Sequence, residues 1–350
     1  MTAGAWLTAA VGACLRERWL WTVTVCNTAA LKTQEVRAVG STADALQRIV
    51  RRSGVDDLVA VLADRLSGSD LTTLLLEVMR RRAAATTAPD LLRRYGHDRF
   101  TVTSGIDGRR LHELVATVLA ALPYDVDVVE LSPVAPLGTH SVVATVHQHK
   151  VVSTIRGTEV AADPTNALAL EAAARRRALL REDPRCADVV RLAAVQRVLR
   201  AQPFDFPGAL AHFTLFGLIT AGRDRGDLRF ESRVLVDDVV ALTRAILVAG
   251  ALLVQVRVTD LSGGRVAAVD VLSDALAAQR RVTVVADPDR VSGRGYYTGM
   301  CFKIYAGGGP DQMREVGDGG FVEWTQHLLG NRRERLLISG IGLDLLAAQT

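Results

Sequence analysis

His147 and His149 lie two residues apart, so a strand would turn both imidazoles to one face, as a metal pair requires. No carboxylate or third histidine stands at a spacing that would complete a metal shell. A pair at a hairpin turn is therefore the favoured reading, with no metal expected. The run Gly307-Gly308-Gly309 and the set Gly293, Gly295, Gly299 would let backbone approach a phosphate. Neither follows a strand and opens a helix, as a phosphate loop must. No Gly-x-Ser-x-Gly, His-Glu-x-x-His or paired-cysteine pattern occurs, which removes nucleophile-elbow and zinc-hydrolase chemistry.

The elements that would carry any site fall into two parts. Residues 1–106 read as a mostly helical region. Leu71, Leu74, Leu75 and Val78 share one helical face, Ser69-Asp70 stand ready to cap it, and Pro89 opens a second helix. From 107 to 350 the pattern becomes α+β, an antiparallel sheet flanked by helices. Leu111–Leu122 is an amphipathic helix stopped by Pro123, and Val126–Leu131 a strand ended by Ser132-Pro133. Val142–Val146 and Lys150–Ile155 read as a hairpin around His147-Gln148-His149. Asp163-Pro164-Thr165 starts an alanine-rich helix over Asn166–Leu180. Strands are expected at Val189–Leu199 and His212–Ala221, joined by a loop holding Pro203, Pro207 and Gly208. Helices at Val236–Gly250 and Val269–Gln279 alternate with strands at Leu252–Val258, Val282–Val285 and Phe302–Tyr305. The tail reads as helix Val322–Leu329, strand Leu336–Ser339, and a short helix opened by Gly340-Ile341-Gly342.

One ordered group stands out. Arg200 ends a strand, a proline-rich loop follows, and the next strand carries Phe213 and Phe216. Tyr296-Tyr297-Thr298-Gly299 precedes Phe302, and Gly340-Ile341-Gly342-Leu343 joins a strand to a helix. Together with the helix-strand-proline unit 109–133, this order resembles the three motifs of class II aminoacyl-tRNA synthetases. The resemblance is to the histidyl type and its paralogue, the regulatory subunit of ATP phosphoribosyltransferase. It covers roughly residues 109–348, whereas residues 1–100 resemble neither. Tyr-Tyr-Thr-Gly-x-x-Phe is its most specific string.

The resemblance implies a dimer interface built on 109–133, hence a homodimer. It implies that Asp163, with Thr165, receives a substrate amino group. Arg200 would clamp the α-phosphate of ATP or of an acyl-adenylate, with magnesium, and is the one catalytic candidate. Gln202 stands where the family keeps a glutamate. Phe213 lies on the second motif 2 strand, Tyr296, Tyr297 and Gly299 border the amino-acid pocket, and Gly340 and Gly342 belong to motif 3. A guanidinium fork suits a phosphate better than an ammonium does, and a buried carboxylate needs a cation. Each residue also has a plain structural reading: Asp163 as helix cap, Arg200 as surface ion pair, the tyrosines as core.

Departures qualify these roles. Leu345 replaces the motif 3 arginine that grips the γ-phosphate, a loss of roughly 1.5–3 kcal/mol. Ala161 replaces the arginine of the family's Arg-Pro-Glu segment. Ser292 replaces the arginine upstream of the tyrosine pair, with Arg294 as the nearby substitute. Ala211–Leu215 lacks the family's polar residues, and only about eight residues follow motif 3, so no anticodon-binding domain is expected. The implied function is a paralogue that does not charge tRNA but keeps a pocket for an amino acid or adenylate-like ligand. The other reading is a non-catalytic regulatory or sensor subunit with a partner enzyme.

Composition fits this class. The 350 residues are 49% hydrophobic and 23% charged, which excludes a disordered or fibrous chain. All but three of the 42 basic residues are arginine, and the net charge of +4 makes no nucleic-acid stripe. Four scattered cysteines suggest reduced thiols and a cytoplasmic protein. Ala5–Leu15 makes a poor signal peptide, and Val239–Val258 is interrupted by Arg244 and Arg257, so no membrane span is expected.

Overall fold

His212–Arg223 is buried along nearly its whole length, which demands a central strand covered on both faces. The computed structural model describes residues 42–203, 210–261 and 267–348. The expectations for Ala5–Leu15, Pro207 and Gly208 lie outside these. In chain order the strands are β1 (Asp127–Val128), β2 (Val134–Pro136), β3 (Thr158–Val160), β4 (Val190–Leu199), β5 (His212–Arg223), β6 (Leu253–Asp260), β7 (Val282–Ala286), β8 (Met300–Gly307), β9 (Arg314–Val322) and β10 (Glu334–Gly342). Eight form one sheet in the order β1-β4-β5-β10-β9-β8-β6-β7, and β2 pairs with β3 apart from it. The six central strands are antiparallel, while β1 joins β4 and β7 joins β6 in parallel. The expected α+β class, with sheet and flanking helices, is what the chain forms.

One face packs against helices Gly108–Ala120, Arg229–Val248 and Leu343–Ala347, through Leu114, Val118, Leu235, Leu242, Leu343 and Leu346. The other lies under helix Pro164–Glu182, whose Leu168, Ala169 and Ala172 are fully buried. Alanines let this helix sit close to the sheet, and β5 contributes Gly217, where a Cβ would stand 3.0 Å from Pro164. Arg176 of the same helix is fully buried but satisfied: it binds both Glu334 oxygens (2.8 and 3.0 Å) and the carbonyls of Asp188 and Cys186.

Two local expectations need correction. No hairpin forms across Val142–Ile155. Gly138 (φ 92) turns the chain into a wide helical turn at Thr139–Val143, followed by a 3-10 turn at Gln148–Lys150. The Glu159 carboxylate, fully buried, draws this loop inward by accepting the amides of Gly138 and His140 and the Gln148 side chain. The helix Gly68–Ala84 is capped by Ser67 rather than Ser69-Asp70. Beyond these, Arg314–Val322, a segment given no element from its sequence, is a central strand. Gly317, Gly319 and Gly320 hid it, yet each lies so close to neighbouring atoms that a Cβ would fall within 2.6 Å of them. Helices Gly68–Ala84 and Ala88–Tyr95 bury no residue. Among the described residues no helix is long and apolar enough to cross a membrane.

Candidate functional site

Strand register places two contrasting rungs on the face beneath helix Pro164–Glu182. One runs Leu192–Ile219–Ile338–Gly320–Cys301 and is apolar; the next runs Ala194–Gly217–Gly340–Asp318–Lys303–Arg257 and turns charged at its far end. The helix N-terminus covers Gly217. Above Gly340 a Cβ would meet only the Phe216 carbonyl, at 3.5 Å. That glycine is therefore the floor of a hollow.

One wall is the Asp163–Arg200 corner. Asp163 caps helix Pro164–Glu182, its Oδ1 accepting from the Thr165 amide (2.9 Å) and hydroxyl (2.7 Å). Its Oδ2 accepts from Arg200 Nη2 at 3.2 Å, while Arg200 Nε donates to the Ala162 carbonyl at 3.0 Å. Both side chains stay partly open, 28% and 23% exposed. The Phe213 ring lies 5.2 Å from the guanidinium carbon. Thus the cap and ion-pair readings of Asp163 and Arg200 are realised at the mouth of a cleft, where neither group is spent.

The other wall is the tyrosine pair. Gly299 (φ 71) bends the chain into β8, and Tyr297, 5% exposed, lies flat over Gly320. Its hydroxyl donates to Asp318 Oδ2 at 3.1 Å, and burial pushes its pKa well up. Tyr296 meets it edge-on at 4.9 Å and Trp324 at 5.6 Å. Burial likewise raises the Asp318 carboxyl to about 6. Arg290 opposes that rise, and the charges of Glu315 and, least, Asp163 add to it.

Arg290 is the residue sequence reasoning missed. The motif pointed to position 292 and to Arg294 as substitute. Arg294 is exposed and donates to the Arg290 carbonyl (3.1 Å), whereas the Arg290 side chain is 1% exposed. Its Nε donates to the Ser292 carbonyl (2.9 Å), and its Nη2 lies 3.6 Å from Asp318 Oδ2. Among the described residues neither terminal nitrogen finds a hydrogen-bond partner. Beyond Asp318, Lys303 binds Glu315 Oε2 (2.7 Å) with Tyr305 beside it (3.3 Å), and the buried Glu315 Oε1 has no hydrogen-bond partner among the described residues. The signal for Lys303 was its two-residue spacing from Cys301 and Tyr305, which puts all three on one face.

The other expected residues fall as follows. The Gln202 carbonyl accepts from Arg99, which ties the segment after β4 to the stretch ahead of the sheet. Gly342 ends β10 with Leu345 packed against it, and Leu345 is only 8% exposed. His147 and His149 pack edge-on at 4.8 Å, and the His147 ring accepts the His149 amide. A cavity of about 1150 Å³ lies at the other face among Leu235, Leu272 and Phe321; of the site residues named here only Gly299 borders it.

No protein-family profile and no curated sequence matches the chain. Its fold is shared by solved structures. An ATP phosphoribosyltransferase regulatory subunit/histidyl-tRNA synthetase from Bacillus halodurans superposes with TM-score 0.53 and 16% identity, over 71% of this chain and 83% of that one. Histidyl-tRNA synthetase from Nostoc sp. PCC 7120 gives 0.51 and 13%, over 71% and 74%. The apo S. aureus histidyl-tRNA synthetase gives 0.50 and 12%, over 69% of this chain and 64% of its own length. At such identities the likeness is one of fold, and the resemblance drawn from the motifs agrees with it.

Proposed function

We propose that the chain is a synthetase-like paralogue that does not charge tRNA and uses the hollow above Gly340 to hold a small amino-acid or adenylate-like ligand. The observation that carries this is the Arg290 fork: its terminal nitrogens lack hydrogen-bond partners among the described residues and its charge partner Asp318 stands 3.6 Å away, so a carboxylate or phosphate reaching the fork would complete its hydrogen bonding. Arg200 at the opposite wall is a second anion donor, and Asp163 is the acceptor for an ammonium. The fit to ATP with magnesium is partial. Arg200 suits an α-phosphate, while Leu345 is packed where the family's γ-phosphate arginine stands. Leu345 and Ala161 are the reasons for proposing no tRNA charging. The same reading takes the helix Gly108–Ala120 with β1 as a homodimer interface and the cytoplasm as compartment.

A regulatory or sensor subunit serving a partner enzyme is the second reading. The two bonds Arg200 already makes, to Asp163 and Ala162, favour it, because a partly engaged clamp suits recognition more than turnover. Amino-acid-dependent exchange of pyrophosphate into ATP separates the two. Exchange with any amino acid establishes activation; binding without exchange supports the sensor.

A further inference from the structure

The corner that carries Asp163 is held from behind by a histidine outside all three motifs. The His140 ring is 1% exposed. Its Nε2 accepts the Ala162 amide at 3.1 Å and its Nδ1 lies 2.6 Å from Asn166 Oδ1. An Nε2 that accepts leaves the proton on Nδ1, which then donates to Asn166; both ring nitrogens are used by the neutral tautomer. The imidazole thus grips the chain on either side of Asp163, one residue before it and three after. His140 is itself fixed, since its amide and that of Gly138 donate to the buried Glu159 carboxylate, which Gln148 also binds. The peptide whose N–H meets His140 is the one before Ala162; the Ala162 carbonyl, one bond set further on, receives Arg200 Nε.

We propose that His140 is a positioning residue for the anion clamp, setting Arg200 through the Ala162 backbone and Asp163 without touching the ligand. This rests on the reading of Arg200 as an anion donor, and the experiment separates the two. Among the described residues the Ala162 amide meets no acceptor other than His140, and the adjoining Ala161 is already tied at both ends, to Pro133 and Leu199. Removing the ring leaves this peptide held only through its Ala161 carbonyl, which accepts from Leu199, so the Ala162 end can tilt.

The test is a double-mutant cycle read by titration calorimetry with magnesium ATP on the full chain. His140→Leu should weaken binding about tenfold, the scale of one lost buried hydrogen bond passed on to the clamp. In an Arg200→Ala background it should change binding less than about twofold. His140→Gln, whose side-chain oxygen can accept the Ala162 amide, should recover most of the loss. An equal loss in both backgrounds, or none in either, overturns the proposal. If Arg200→Ala alone leaves binding unchanged, the clamp reading fails instead. Exchange of the Arg200 Nε proton, followed by NMR, then still judges the relay: His140→Leu should accelerate it and His140→Gln should not. Unaltered exchange in His140→Leu also overturns the proposal.

Discussion

Asp318 on β9 stands directly across the ladder from Gly340 on β10, so a carboxyl only 16% exposed faces a position with no side chain. The hollow is the product of that pairing. A bulkier residue at 340 would put carbon where the two walls face each other.

Gly340→Ala should therefore leave stability nearly unchanged, since its Cβ meets only ordinary contact, while lowering affinity for any ligand in the hollow. Gly320→Ala is the control. Its Cβ would fall 2.6 Å from both Cys301 and Tyr297, an overpacking that costs about 1–3 kcal/mol. Urea unfolding and ligand titration on both variants check the contrast, and equal destabilisation would show the space above Gly340 to be filled.

Asp318 also gives the site a pH response. Its folded pKa of about 6 lies above the value near 3.9 of an unfolded aspartate. Its stabilising contribution is thus fully present below about pH 4 and is lost as pH rises through 6. Relative to Asp318→Asn, the native chain should lose about 2 kcal/mol between pH 4 and 7, as measured by denaturant unfolding. An anion docking on Arg290 should likewise bind more tightly at pH 5 than at pH 8, because a protonated Asp318 no longer competes for the guanidinium. A gap independent of pH would contradict the burial of this carboxyl.

Much of this arrangement could be read before any coordinates. The strand expected at Val189–Leu199 and the Asp-Pro start at 163–164 located the elements that bring Arg200 and Asp163 together. What escaped was set by contacts distant in sequence. β9 lacked apolar alternation because its glycines answer to Phe302, Tyr297 and β10 rather than to their own neighbours. Arg290 stands two residues from the motif position, and only the turn at Gly293 (φ 80) shows that it, not Arg294, folds inward. His140 carried no local pattern at all, and the buried Glu159 that holds its loop lies nineteen residues away.

Pyrophosphate exchange addresses turnover; occupancy of the hollow is the claim beneath it. Titration calorimetry with non-hydrolysable aminoacyl-adenylate analogues covering all side chains should show saturable heat with at least one. Arg200→Ala should weaken that binding about ten- to a hundredfold, the worth of one charge-assisted hydrogen bond. No heat with any analogue, or full affinity retained in Arg200→Ala, would contradict the account.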